Sequence, residues 1–413
     1  MGCKRSLTAV MEFLITSRQS RPGDDPIFSL NAEATARAKA GEDIVNATIG
    51  ALLSDDRALA IMPTVAETLS TLPFSAVASY APIPGREDYR KAIAADLLAG
   101  FGLADQAACV ATPGGTGALR IAFDDFLEPG QVALTSSYFW APYRTIAEES
   151  GRDLTTFEMF DGVGRFNVEA FDQKLDELMG KQRRALVLLN TPCHNPTGYS
   201  LDQAELDATA GVLAKYADRG PVTLVLDVAY GYFHPESLDR CIATFAKLAG
   251  RVLVLFAWSG SKAFALYGQR IGALVALCPE PEQRQRITNA ITYSCRGIWS
   301  NCNAGGMAAV ARLLADETLH ARVLAERAEL VALLAKRVDF WNEHAAAAGL
   351  RYPRYDGGFF TTVYSADPKK TSRALTERGV FLVPTAGAVR VAVCAVNEQQ
   401  IARIVEALRA VGA

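Results

Sequence analysis

The sequence predicts an α/β protein: a large domain on a mostly parallel sheet flanked by helices, joined to a small α+β domain. Two observations carry this. Short apolar runs, nearly uninterrupted by polar residues, alternate with Ala-rich helical segments through the middle of the chain. After about residue 307 a long helical stretch gives way to separate strand-like segments and a final amphipathic helix.

The strands predicted for the large domain are Cys109–Thr112, Val132–Thr135, Ala185–Leu189, Val222–Val228, Val252–Ala257 and Ile271–Leu277. Their continuous apolar character is that of parallel strands buried on both faces. Between them, Gly117–Phe126 and Leu201–Ala217 read as helices, and Met307 to Leu350 reads as helical almost throughout. Phe359–Tyr364 and Val389–Val396 read as strands of the small domain. In Asn397–Val411, Ile401, Ile404, Val405 and Leu408 fall on one helical face, and Asn397 with Gln400 makes a cap-like start. The expected division is an N-terminal extension (1–25), an N-terminal part of the small domain (26–55), the large domain (56–314) and the C-terminal small domain (315–413).

Composition narrows the function. The chain has 413 residues, half of them apolar and 21% charged, and a net charge of −3, which suits a globular protein of two or three domains and not a generally basic nucleic-acid binder. The longest charge-free run, Thr68–Gly85, contains three prolines and cannot be a regular membrane helix. Eight scattered cysteines without a Cys-x-x-Cys pair read as reduced thiols of a cytoplasmic protein, and four histidines without a close pair give no metal site. Met1-Gly2-Cys3-Lys4-Arg5-Ser6 fits a myristoylation pattern with Cys3 as a second lipid site, and the stretch to Thr16 faintly resembles a signal peptide without a cleavage box. Met11 is an alternative start.

Five segments carry chemistry. Lys262, in Trp258-Ser259-Gly260-Ser261-Lys262, follows an apolar strand; a buried amine with a lowered pKa is what Schiff-base chemistry needs. Asp227 ends an apolar strand, where open sheets bind ligands and where a carboxylate can hold a protonated pyridine nitrogen. Pro113-Gly114-Gly115-Thr116-Gly117 is a Gly-rich turn into a helix, an anion site suited to phosphate. His194-Asn195-Pro196-Thr197-Gly198 is a turn that aims the Asn195 amide at the strand ends. Arg390 offers two-pronged carboxylate recognition. Each has a plainer reading: a surface lysine, a capping Asp, a tight turn, an Asn-Pro turn and a structural ion pair.

Taken together in order, Gly115-Thr116-Gly117-Ala118-Leu119-Arg120, His194–Gly198, Asp227 with Tyr230, Ser259–Lys262 and Arg270-Ile271-Gly272-Ala273 resemble the class I aminotransferases, pyridoxal-phosphate enzymes of fold type I, and within them the aspartate and aromatic amino acid branch. The resemblance runs from about Pro26 to the C-terminus. It implies that Lys262 carries the internal aldimine and shuttles the substrate proton, Asp227 pairs with the pyridinium, and Asn195 and Tyr230 bond the ring O3′. It further implies that Trp140 stacks on the ring, that Gly115, Thr116, Ser259, Ser261 and Arg270 hold the phosphate, and that Tyr80 reaches the phosphate of a neighbouring subunit in a homodimer with shared sites. Arg390 would bind the substrate α-carboxylate with Gly50 lying against it. Arg296 lines up with the arginine that crosses the interface to a substrate side-chain carboxylate, the other reading being an interface ion pair.

Departures from the branch are Gly114, where a serine is usual, and Tyr143 and Asn190, where histidines stand behind the ring-binding aspartate. The resemblance implies transfer of an amino group from an aspartate/glutamate or aromatic L-amino acid to a 2-oxo acid. A pyridoxal-phosphate lyase or decarboxylase on the same fold is the alternative. A regulatory or ligand-sensing protein is more remote, since about 20 residues before Pro26 leave no room for a DNA-binding module.

Overall fold

The computed structural model describes residues 13–23 and 25–412. The lipidation and alternative-start readings at Gly2, Cys3 and Met11 lie outside the described residues.

Among the described residues twelve strands occur: β1 (Val45–Asn46), β2 (Ala107–Pro113), β3 (Val132–Ser136), β4 (Asp153–Phe157), β5 (Ala185–Asn190), β6 (Val222–Asp227), β7 (Leu253–Ser259), β8 (Ile271–Leu277), β9 (Phe360–Tyr364), β10 (Val380–Phe381), β11 (Val383–Thr385) and β12 (Ala388–Ala392). Seven form the central sheet in the order β2-β8-β7-β6-β5-β3-β4. All its pairings are parallel except those of β8, which runs antiparallel to both β2 and β7. The parallel orientation expected for Ile271–Leu277 is therefore corrected. Every residue of β5, β6 and β8 is buried, because helices cover both faces of the sheet.

This reversal matters for the site. An antiparallel β8 begins at the edge of the sheet where β2, β6 and β7 end, with Pro113 opposite Ile271 and Ser259 opposite Gly272. Arg270, just before β8, is thereby brought among the C-terminal strand ends. Register does the same for β5 and β6, setting Asn190 beside Asp227.

The long helical run is two helices, Ala304–Ala315 and Glu317–Ala347. Asp316 separates them: its side chain accepts from the N–H of Leu319 at 3.0 Å and caps the second. Early in that helix Val323 packs on the core of the large sheet, whereas Leu334, Val338 and Trp341 join a second core with residues of the three-stranded sheet β11-β12-β9. The N-terminal residues Val45, Ala47 and Leu52 belong to that second core, and β1 pairs in parallel with β10. The strand expected over Val389–Val396 ends at Ala392 and turns into a 3-10 helix, Val393–Ala395. The last helix, Glu398–Ala410, starts with a full capping box between Asn397 and Gln400.

Candidate active site

A cavity of about 170 Å³ opens at the C-terminal edge of β5, β6 and β7. Strand ends contribute Asn190, Asp227 and Ser259; the helix Gly114–Phe126 contributes Gly115, Thr116 and Leu119; connecting segments contribute Trp140, Asn195, Ala229, Tyr230, Ser261, Lys262 and Arg270. Ten of the residues given a site role from the sequence, together with Asn190, noted there as a departure, thus face one space.

Lys262 sits in the short helix Gly260–Ala263, which β7 leads into and Ser259 caps by accepting from the N–H of Ser261 at 3.3 Å. Its Nζ lies 5.4 Å from the centre of the Tyr230 ring. Desolvation of the amine lowers its pKa, opposed by the attraction of Asp227. Asp227 is buried at the end of β6. Its Oδ2 accepts from the Tyr143 hydroxyl at 2.6 Å and its Oδ1 from the N–H of Ala229 at 3.1 Å. Burial raises its pKa, while the Tyr143 bond pulls the other way. Behind it, Asn190 donates from Nδ2 to the Asp227 carbonyl at 2.7 Å and accepts from the N–H of Asn195 at 2.6 Å. One amide thus couples the strand end to the turn that presents Asn195.

The Asn195 amide donates to the Tyr230 hydroxyl at 3.5 Å, and its Oδ1 accepts from Arg390 at 3.4 Å. Gly115 and Thr116, which line the cavity, lie in the first turn of the helix Gly114–Phe126, to which Pro113 gives no side-chain cap. Arg270 donates to the Ser261 hydroxyl at 3.2 Å and the Tyr267 carbonyl at 3.0 Å, and forms no salt bridge among the described residues. Its approach explains Gly114, which has φ +72°: a Cβ there would lie 2.5 Å from Arg270 Nη2.

Arg390, in β12, donates from Nη2 to the Thr48 carbonyl at 2.6 Å and stacks 4.2 Å from the Phe360 ring centre. It has no carboxylate partner among the described residues, and its Nε has no hydrogen bond. Burial lowers its pKa to about 10. A structural ion pair is thus not what holds it. Gly50 lies against Phe360, not against Arg390 itself: a Cβ would meet Phe360 Cζ at 2.3 Å. The glycine therefore acts through the ring on which the guanidinium rests.

Four of the predicted site residues do not line this space: Arg390, which lines a second cavity, Gly50, Tyr80 and Arg296. Tyr80 is 94% exposed, and Arg296 is exposed and donates to the Ser300 hydroxyl at 2.6 Å. Among residues given no role from sequence, Ala229 lies two positions after Asp227 and Leu119 three after Thr116, spacings that signal the same strand end and helix face. Asp25, Ile27, Val383 and Pro384 line a second cavity beyond Trp140 and carry no such signal. Among the described residues no cluster of three or more His, Cys, Asp or Glu side chains is placed to hold a metal, and no helix is long and apolar enough to cross a membrane. The seven described cysteines are free, six of them buried.

Residues 42–408 match the family model for aminotransferase class I and II. A tyrosine aminotransferase of Klebsiella pneumoniae is 31% identical over 94% of this chain and 97% of its own. An aspartate aminotransferase of Pseudomonas aeruginosa is 28% identical over 93% and 96%. Among solved structures, an aminotransferase from Anaerococcus prevotii superposes with a TM-score of 0.92 at 32% identity, covering 97% of this chain and 99% of that one. An aromatic-amino-acid aminotransferase from Burkholderia pseudomallei, covalently bound to pyridoxal phosphate, gives 0.79 at 26% identity, covering 96% and 98%.

Proposed function

Because the chain belongs to the class I and II aminotransferases, we propose the following division of labour among its residues in moving an amino group from an L-amino acid to a 2-oxo acid. Its cofactor is pyridoxal 5′-phosphate, and the residues present fit that group. Asp227 is a buried carboxylate with hydrogen bonds but, among the described residues, no cation in a salt bridge, as pairing with a protonated ring nitrogen requires. Uncapped helix amides, three hydroxyls (Thr116, Ser259 and Ser261) and an arginine with no carboxylate partner among the described residues make a phosphate cradle. When bound, the cofactor supplies an electron sink for the charge left as the substrate Cα–H bond breaks.

Lys262 Nζ would be the covalent attachment point; once the donor amine replaces it there, the freed amine would carry the proton from the substrate Cα to the cofactor C4′, and from C4′ back to Cα when a 2-oxo acid is the acceptor. The desolvation that lowers its pKa keeps a fraction of the amine unprotonated and able to accept. Asp227 holds the ring-nitrogen proton, with Tyr143 fixing the carboxylate. Asn195 and Tyr230 donate to the ring oxygen, and Trp140 covers the ring. Gly115, Thr116, Ser259, Ser261 and Arg270 bind the phosphate. Arg390 binds the substrate α-carboxylate, oriented by Asn195 and by Phe360 over Gly50.

Tyr80 and Arg296 act in the site of a second copy, so the working form is a homodimer with shared sites. In support, Tyr80, Tyr293 (84%) and Phe74 (81%) are large exposed side chains. Free buried thiols support a cytoplasmic location. The domains are the segments 26–55 and 315–413 around 56–314.

The observation that carries the reading is the half-buried, desolvated amine of Lys262 and the buried carboxylate of Asp227 in one cavity with that cradle. With pyridoxal phosphate and a donor, the protein should release the matching 2-oxo acid with ping-pong kinetics, and Lys262→Ala should abolish turnover. Release of ammonia or CO2 in place of an oxo acid would favour the lyase or decarboxylase reading, and wild-type rates from Lys262→Ala would overturn the role of Lys262.

A further inference from the structure

The helix that carries Lys262, Gly260–Ala263, is a single turn, too short to hold its own shape. Its carbonyls at Gly260 and Lys262 accept from the N–H groups of Phe264 at 3.1 Å and Ala265 at 3.2 Å. Ala265 takes φ +52°, a left-handed conformation costly for a residue with a Cβ, so the exit from the turn must be held from outside. The Ala263 carbonyl accepts from Arg327 Nε at 3.0 Å. We propose that Arg327 is a positioning residue for Lys262: through that carbonyl it fixes the turn and sets where Nζ lies relative to Asp227 and Tyr230. The proposal rests on the reading that Lys262 carries the cofactor.

Three features single out Arg327. Its guanidinium is buried, has no carboxylate partner among the described residues, and leaves Nη2 without a hydrogen bond. A cation buried on such terms is costly, and an apolar side chain of similar length would fill the space at less cost. What the guanidinium adds is the bond to Ala263 and contact with two ring faces, Tyr232 at 4.6 Å and Phe264 at 5.3 Å. Next, Tyr232 fastens the other side of the turn: its hydroxyl accepts from Trp258 Nε1 at 3.0 Å and donates to Asp96. Trp258 precedes Lys262 and Ala263 follows it, so both flanks of the lysine are tied to Tyr232 and Arg327. Tyr232 itself follows Asp227 and Tyr230 in the chain, which sets the amine and the groups that face it on one frame. Finally, Arg327 projects from the helix Glu317–Ala347 between two fixed points, Val323 in the core of the large sheet and Leu334 in the second core.

Arg327→Met keeps the apolar bulk and removes the donor. In single half-reactions of the holoenzyme it should slow proton transfer about tenfold to a hundredfold, the cost of a displaced reacting group, while KM for the donor moves less than about threefold. Arg327→Lys, which keeps a donor on a long stem, should fall between wild type and Arg327→Met. A second readout needs no amino acid. Covalent uptake of pyridoxal phosphate by the apoprotein, followed by absorbance and by borohydride trapping on Lys262, should slow about tenfold in Arg327→Met. Leu213→Ala, a core change in the helix Gln203–Ala217, is the control: it should lower Tm and leave uptake and the half-reaction rate unchanged. Should Arg327→Met not fold, Tyr232→Phe, which frees Trp258, should show the same slowing to a smaller degree. Wild-type uptake and half-reaction rates in whichever of these two variants folds, or a slowing that Leu213→Ala matches at equal loss of Tm, overturn the proposal. Trapping on a lysine other than Lys262 in the wild type overturns the Lys262 reading itself, and the proposal with it.

Discussion

Tyr143→Phe removes one oxygen atom from the site and leaves the packing in place. The Tyr143 ring is 1% exposed and rests edge-on against Trp140 at 5.6 Å and stacked on Phe139 at 6.4 Å, contacts a phenylalanine retains. What is lost is the 2.6 Å bond from its hydroxyl to Asp227 Oδ2. A buried hydrogen bond to a charged group contributes about 1.5–3 kcal/mol, so the pKa of Asp227, already raised by burial, should climb further. Protonating Asp227 removes the counter-charge to the cofactor ring nitrogen. Pyridoxal phosphate affinity should therefore fall roughly tenfold to a hundredfold, and the loss should deepen as pH is lowered. Absorbance titration of the apoprotein with cofactor across a pH series measures this. The KM for the amino donor, set at Arg390, should move less than the cofactor affinity. An unchanged affinity with an unchanged pH profile would refute the argument that Tyr143 holds Asp227 ionised.

Other perturbations have equally definite outcomes. Gly114→Ala puts a Cβ at φ +72° and 2.5 Å from Arg270 Nη2; backbone strain of about 1–2 kcal/mol should lower Tm, and displacement of Arg270 should weaken binding of the cofactor phosphate. Arg390→Ala should raise the donor KM about a hundredfold, the equivalent of losing a charge-assisted bond pair of about 3 kcal/mol, with kcat affected less; Arg390→Lys should not restore it. His194 is buried against Thr197, and burial holds its pKa at about 3 against 6.5 in the unfolded chain. The folded state then binds fewer protons between those values, so stability falls as pH drops through the window, by up to about 5 kcal/mol. His194→Gln should flatten that limb in urea unfolding series between pH 6.5 and 4.

Much of this was legible because the chemistry clusters at strand ends. Ile271–Leu277 is an apolar run with matching strand bounds, and Asp227, Ser259 and Lys262 follow directly from such runs. The orientation of β8 was not legible, since a buried antiparallel strand has the same apolar character as a parallel one. Asp153–Phe157 escaped notice because an edge strand needs no continuous apolar run; its Asp153 is exposed and its two threonines are half-buried. β1 and β10, two residues each, are too short to leave a pattern. Asp316 carried a capping signal inside an apparently unbroken helix, overruled there by the apolar periodicity on either side. In the site, Tyr143 and Asn190 stood out as departures from the family pattern, and the structure shows what they touch. Asp25 and Val383–Pro384 left no trace, because segments more than 350 residues apart meet only when the chain folds around Trp140.

The central claim is that the cofactor is carried by the desolvated amine of Lys262, in the short helix that follows β7. Borohydride reduction of the holoprotein followed by peptide mass mapping tests it most directly. The account predicts one phosphopyridoxyl group, on Lys262. Labelling of another lysine, or none after saturation with pyridoxal phosphate, would contradict it.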